Sequence, residues 1–199
     1  MIFDPRPVVL EGRQVRLEPL TPAHAAALWE AGRDPDIFRW SLTLPFSQAS
    51  EVEHWVADAL QGQSDGGEVA WATVRRADGK VVGSTRFLDI RRPHRCLEIG
   101  STWLAREAQR TAINTEAKLL QLTHAFERLG AVRVQLKTDR RNEASRRAIA
   151  RLGAVEEGVL RSYQTRYDGY VRDTVIFSLT AAEWPEARSR LAARLPGQP

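Results

Sequence analysis

The chain has 199 residues, 29 basic against 25 acidic side chains and a formal charge of +4, which suits one domain with its own core. A single cysteine, Cys96, excludes an internal disulfide, and no run of about 18 apolar residues is present to span a membrane. Met1-Ile2-Phe3-Asp4-Pro5 lacks the basic and apolar regions of a secretory leader, so the expectation is a cytoplasmic protein.

Gln14 to Leu20 alternates Val15 and Leu17 with Arg16 and Glu18, which reads as a half-buried strand. Thr21-Pro22 opens a helix through Trp29, and Asp34-Pro35-Asp36 breaks the chain. Ser47 is placed to cap a second helix carrying Val52, Trp55, Val56 and Leu60. Val69–Arg75 and Val81–Ile90 are strand-like around the turn Ala77-Asp78-Gly79, and Arg95–Leu104 is the next strand. A helix follows from Ala112 to Leu129, stopped by Gly130. Val132, Val134 and Leu136 alternate in a further strand. Asn142 to Leu152 forms a short helix ending at Gly153. Val155–Leu160 and Thr174–Leu179 are the last strands, before an Ala- and Arg-rich terminal helix. Residues 1–7 and 196–199 read as frayed. The order is mixed α/β, and the crossover from strand 95–104 through a helix to strand 131–138 makes a βαβ-like unit.

Lys80, Lys118 and Lys137 are the only lysines, so arginine carries nearly all the positive charge. The arginines are spread along the chain rather than interleaved with stacking aromatics, which argues against a nucleic-acid partner. His24, His54, His94 and His124 are scattered without metal-ligand spacing, so no metal is expected.

Strand residues Leu97-Glu98-Ile99-Gly100-Ser101-Thr102-Trp103-Leu104 run into Gln109-Arg110-Thr111-Ala112-Ile113-Asn114 and then a helix. A helix start offers unpaired N–H groups and a positive dipole end, which suit a pyrophosphate. The loop resembles the acyl-CoA loop of the GNAT acetyltransferase superfamily, Gln/Arg-x-x-Gly-x-Gly/Ala, with Ala112 and Asn114 in the small-residue slots. Three further segments resemble its RimJ/RimL-like branch, the ribosomal-protein N-terminal acetyltransferases. They are Leu10–Leu20, Asn142-Glu143-Ala144-Ser145 with the helix that follows, and Gly158–Arg161 with Arg172–Leu179.

The resemblance implies a single-domain acyl-CoA N-acyltransferase fold. Its seven-stranded mixed sheet is splayed between strands four and five and flanked by helices. Acetyl-CoA is the implied cosubstrate. Thr102, Trp103 and Leu104 would offer backbone groups to the pantetheine arm, and Gln109, Arg110, Thr111, Ala112, Ile113 and Asn114 would cradle the pyrophosphate. Asn142 and Ser145 would line the arm, although Asn142 also reads as a plain N-cap. Arg146 or Arg147 could meet a CoA phosphate or form a solvated helix face. The activity implied is acetyl transfer to a primary amine, either a protein N-terminus or a small molecule, by direct attack.

Such a reaction needs a proton acceptor for the amine and a donor for the leaving thiolate. Glu98 is the candidate base, with an ion pair across the sheet as its alternative role. Ser145 is the candidate donor, because Ile149 fills the slot where many relatives carry a Tyr acid. Gln164 stands where some relatives place a Glu. Phe38, Trp40 and Tyr163 are candidate acceptor contacts. The competing reading is a CoA-binding module with degenerate catalysis, and a homodimer is left open.

Overall fold

The computed structural model describes residues 2–195. The strands are β1 Leu10–Glu11, β2 Val15–Pro19, β3 Val69–Arg75, β4 Val81–Arg91, β5 Cys96–Leu104, β6 Arg133–Asp139, β7 Val155–Thr165 and β8 Val171–Thr180. The helices are α1 Ala25–Ala31, α2 Ala49–Ser64, α3 Ala112–Thr123, α4 Glu143–Arg151 and α5 Trp184–Ala192. The strands form one sheet in the order β1-β2-β3-β4-β5-β6-β8-β7. Neighbours from β1 to β5 run antiparallel, as do β6–β8 and β7–β8. Only β5 and β6 run parallel, joined by the α3 crossover. The sheet is thus mixed, as expected. It has eight strands rather than seven, because Leu10 and Glu11 pair with Leu17 and Arg16.

Side-chain alternation sends the two faces into two cores. Val15, Leu17, Trp71, Phe87, Val134 and Phe177 pack under α3 and α5. Ala70, Ala72 and Trp103 pack on the other face with Leu28 of α1 and Val52 and Val56 of α2.

Several boundaries differ from the sequence reading for identifiable reasons. Pro22–His24 forms a 3₁₀ turn before α1. Gln48, not Ser47, takes the N-cap of α2, and the Glu51 carboxylate reaches back to the Ser47 N–H (2.7 Å) and hydroxyl (2.9 Å). The helix from Ala112 widens into a π turn over His124–Arg128 and stops at Gly130, whose φ is +71°. The N-terminal segment is packed rather than frayed: Phe3 is buried, and the Trp71 indole N–H donates to the Val8 carbonyl at 2.8 Å. Residues 196–199 lie outside the described residues.

One buried carboxylate ties the N-terminal strands to α3. Glu116 accepts from the backbone N–H groups of Arg13 (2.9 Å), Gln14 (2.6 Å) and Val15 (2.8 Å). Gly12 makes room for it, since a Cβ there would collide with the carboxyl group. Glu116→Gln turns one acceptor oxygen into an N–H₂ facing N–H donors. It should lower stability by about 2–3 kcal/mol, the cost of unsatisfied buried groups, read as a lower urea midpoint at unchanged slope.

Candidate active site

The parallel pair β5–β6 holds together over only three residue pairs, Cys96↔Arg133, Leu97↔Val134 and Glu98↔Gln135. Beyond them β5 stays with β4 and β6 with β8. The β6-facing edge of residues 99–104 therefore has no ladder partner, so the sheet is splayed between the strands where the family resemblance put the opening. A bulge shapes this edge. Ser84 pairs with Trp103 but Arg86 with Gly100, which leaves one extra residue on β5, and Ser101 takes a φ of +45°. Such bulges re-aim side chains.

Two helix starts lie at the carboxyl ends of the diverging strands, where open α/β sheets place their ligands. At the first, Thr111 caps α3, accepting from Ile113 N–H (3.3 Å) and donating to the Ala108 carbonyl (2.7 Å). Gln109, Arg110 and Thr111 are exposed and Ile113 is buried. Arg110 takes a φ of +60°, and the Gln109 amide donates to the Leu104 carbonyl (2.9 Å), so that one backbone acceptor is already occupied. Ala112 forms the first turn, and Asn114 Oδ1 is buried with no protein partner.

At the second start, Asn142 caps α4 by accepting from Ser145 N–H at 3.0 Å. Arg146 pairs with Glu156 at 3.1 Å and Arg147 with Glu143 at 3.0 Å, so both arginines have carboxylate partners on the protein surface. Ile149 is buried.

Glu98 sits at the closed end of the splay, buried, on the face of α1 and α2. Its Oε2 accepts from Gln135 (3.1 Å) and lies 3.1 Å from Lys137 Nζ. The ion-pair partner is thus a lysine on the adjacent strand. Asp139, at the end of β6, is fully buried with one carboxylate oxygen unpartnered. Arg172 on β8 is buried beside Asp139 and Glu98. Desolvation pulls its pKa down, and the two carboxylates oppose that shift.

Aromatic and cationic side chains tie two loops together on this face. Phe38 is buried against Phe46 and Trp103, so it builds the floor. The Arg141 guanidinium lies over Tyr170 (3.6 Å) and over Trp40 (5.2 Å). Arg166 donates to the Arg39 carbonyl. The segment between α1 and α2 is thereby fastened to the β7–β8 hairpin. Tyr163 is exposed, with Lys137 over its ring at 5.9 Å. A separate groove of about 370 Å³ between Pro22, Ala25 and α2 lies away from these groups. No cluster of three or more potential metal ligands occurs among the described residues.

Residues 14–155 match the family profile described as "Acetyltransferase (GNAT) domain". The chain belongs to the GNAT acetyltransferase family. "Putative ribosomal N-acetyltransferase YdaF" of Bacillus subtilis (strain 168) is 35% identical over 107 residues, 54% of this chain and 57% of that protein. The chain thus spans somewhat over half the length of this curated relative. Among solved structures, a GCN5-related N-acetyltransferase from Brucella melitensis superposes with a TM-score of 0.89 at 31% identity, covering 96% of this chain and 86% of that one. RimJ of Mycobacterium smegmatis, solved with CoA-disulfide, shares the fold with a TM-score of 0.79 at 24% identity, over 95% and 92% of the two chains.

Sequence reasoning missed Lys118, Asp139, Arg166 and Arg172, which are charged yet buried. Local pattern assigns charged residues to solvent, and the only available signal was the rarity of lysine in this GNAT chain. Asn142→Ala should cost about 1 kcal/mol through the lost cap, measured by thermal or urea unfolding.

Proposed function

We propose that this chain transfers the acetyl group of acetyl-CoA to a primary amine by direct attack in a ternary complex. The splay between β5 and β6, with one helix start at the end of each strand, carries the reading. The residues present suit the cosubstrate: an unpaired strand edge at Thr102 to Leu104, the α3 start at Ala112, and an unpartnered Asn114 Oδ1 beside it. Backbone N–H groups do the recognising, so a methyl at Ala112 is compatible with it. Asn142 and Ser145 face the reaction from the α4 start, and the Ser145 hydroxyl is the proton donor available to a departing thiolate.

Acetyl-CoA supplies the activated acyl group, and the protein supplies positioning, worth effective molarities of about 10⁵ M or more, together with proton transfer. Glu98, directly or through water, is the group that takes the ammonium proton. Its Oε2 lies 3.1 Å from Lys137 Nζ, which holds the carboxylate in place at the closed end of the splay. Trp40 and Tyr163 border the acceptor side, and Phe38 underlies it. An amine of a ribosomal component, a protein N-terminus among them, is favoured as acceptor by the name "ribosomal N-acetyltransferase" of the Bacillus subtilis relative, and the loops tied by Arg141 and Arg166 leave Tyr163 exposed for such a partner.

Acetyl-CoA should bind in calorimetry at submillimolar to millimolar concentration, and Ala112→Asp, which adds negative charge beside the phosphates, should weaken that binding at least tenfold. No heat of binding at millimolar acetyl-CoA refutes the reading. Release of free CoA thiol against a panel of peptides and small amines identifies the acceptor and separates turnover from binding alone. Glu98→Gln should reduce turnover by about 10²-fold with cosubstrate affinity retained, and undiminished turnover would reduce Glu98 to an ion-pair partner of Lys137.

A further inference from the structure

Three polar side chains on adjacent strands, on the sheet face of α1 and α2, keep groups without a partner among the described residues. Asp139, at the end of β6, is fully buried, and its Oδ2 meets no donor. It faces Thr174 across the β6–β8 ladder. Arg172, two residues before Thr174, faces Gln164 across the β8–β7 ladder. Paired residues share a face, and so do residues two apart on one strand, so these side chains gather on one side. Gln164 Oε1 is likewise buried and unpartnered. Arg172 is 5% exposed. Its Nε donates to Thr174 Oγ1 at 3.0 Å, and its two Nη groups have no hydrogen-bond or ion-pair partner among the described residues, yet they are not among the atoms sealed inside the protein.

A buried guanidinium without an ion pair stands apart from its neighbours. Burial works against its charge, but a guanidinium stays protonated in a protein. The carboxylates near enough to favour that charge are Asp139 and Glu98, and both are engaged elsewhere. Asp139 accepts from the Arg141 backbone N–H at 2.8 Å and pairs with its guanidinium at 3.6 Å. Glu98 pairs with Lys137 at 3.1 Å. Arg166, the cation next to Arg172, pairs with Asp168 at 3.1 Å. Of Lys137, Arg141, Arg166 and Arg172, only the last lacks a carboxylate within ion-pair distance among the described residues. Buried charges call for a counter-charge, and a ligand can bring one. The planar fork of a guanidinium matches the two oxygens of a carboxylate. The bare oxygens of Asp139 and Gln164 suit N–H donors of the same ligand.

We infer that Arg172 binds a carboxylate of the acceptor, with Asp139 and Gln164 receiving its N–H groups, so that the favoured acceptor is an amine that also carries an acid group. This rests on the acetyl transfer proposed above and specifies the acceptor's chemistry. Plain alkylamines leave the guanidinium buried and unpaired. The carboxylate is either the α-carboxylate of a free amino acid or an acidic side chain near the amino terminus of a peptide.

The test measures CoA thiol release from two matched pairs of acceptors by the wild type, Arg172→Gln and Gln164→Glu. One pair is alanine and alaninamide. The other is the peptide amides Ala-Asp-Ala and Ala-Asn-Ala. Each pair differs by one carboxylate. The amine's own reactivity cancels when the kcat/KM ratio within a pair, acidic over neutral, is compared between enzymes. In at least one pair that ratio should fall about tenfold to hundredfold from wild type to Arg172→Gln, the size of hydrogen bonds to a charged group. The pair that responds identifies the source of the carboxylate. Gln164→Glu sets a carboxylate opposite the guanidinium and should lower the ratio in the same pair, and it decides the matter if Arg172→Gln does not fold. Ratios within about twofold of the wild type in both pairs overturn the inference, even if turnover as a whole declines.

Calorimetry on the enzyme saturated with CoA gives a second readout without turnover. The acidic member of the responding pair should bind more tightly than its neutral counterpart, and the difference should vanish in Arg172→Gln. Equal affinities in both pairs count against the inference. If the wild type binds no acetyl-CoA, the proposed function falls and takes this role of Arg172 with it, whereas turnover indifferent to the carboxylate defeats this inference alone.

Discussion

Three backbone N–H groups pointing at one carboxylate hold this structure in register. Glu116 binds the chain at Arg13, Gln14 and Val15, which fixes α3 against the first strands. Two residues on, Lys118 binds Thr85 and Thr102, which fixes the same helix against β4 and β5. The two buried charges do not neutralise each other. Each is satisfied by dipoles from a different part of the sheet, and such geometry is costly to disturb because a partly satisfied buried network is worse than an apolar one. The start of α3 is therefore held at a set place and angle beside the splay.

The splay itself is a conflict between pairings. β6 has a full antiparallel partner in β8 along all seven of its residues, whereas its parallel contact with β5 lasts for three. The bulge at Ser101 turns the end of β5 away. An unpaired strand edge inside a protein leaves hydrogen-bonding groups that need partners, and an extended ligand arm with amide groups can supply them. Incomplete pairing is thus the feature on which the proposed site rests.

Around this opening the protein uses arginine for fastening more than for ligand capture. Arg141 rests on Tyr170 and Trp40, Arg166 binds the Arg39 carbonyl, and Arg106 pairs with Asp34 and Asp36. Planar guanidinium groups stack and hydrogen-bond at once. The departures of the loop before α3 from the family pattern fit this economy, since the phosphate capture proposed for it, through backbone N–H groups, depends on the helix start rather than on glycine.

Strand and helix identities were legible in the chain because they are local. Alternation at Val15 and Leu17 or at Val134 and Leu136 has period two, and Gly130 and Gly153 end their helices with positive φ. The loop before α3, the Asn142 cap and the family resemblance are contiguous stretches, so they too could be read directly. Tertiary structure alone decided the placement of β8 between β6 and β7, the pairing of Glu98 with Lys137 and the burial of Phe38 against Phe46 and Trp103. It also brought Lys118, which by composition belongs in water, to within hydrogen-bond reach of Thr85 and Thr102. Those outcomes depend on which distant surfaces meet, and the free energy of a buried charge is set by neighbours that sequence spacing does not specify.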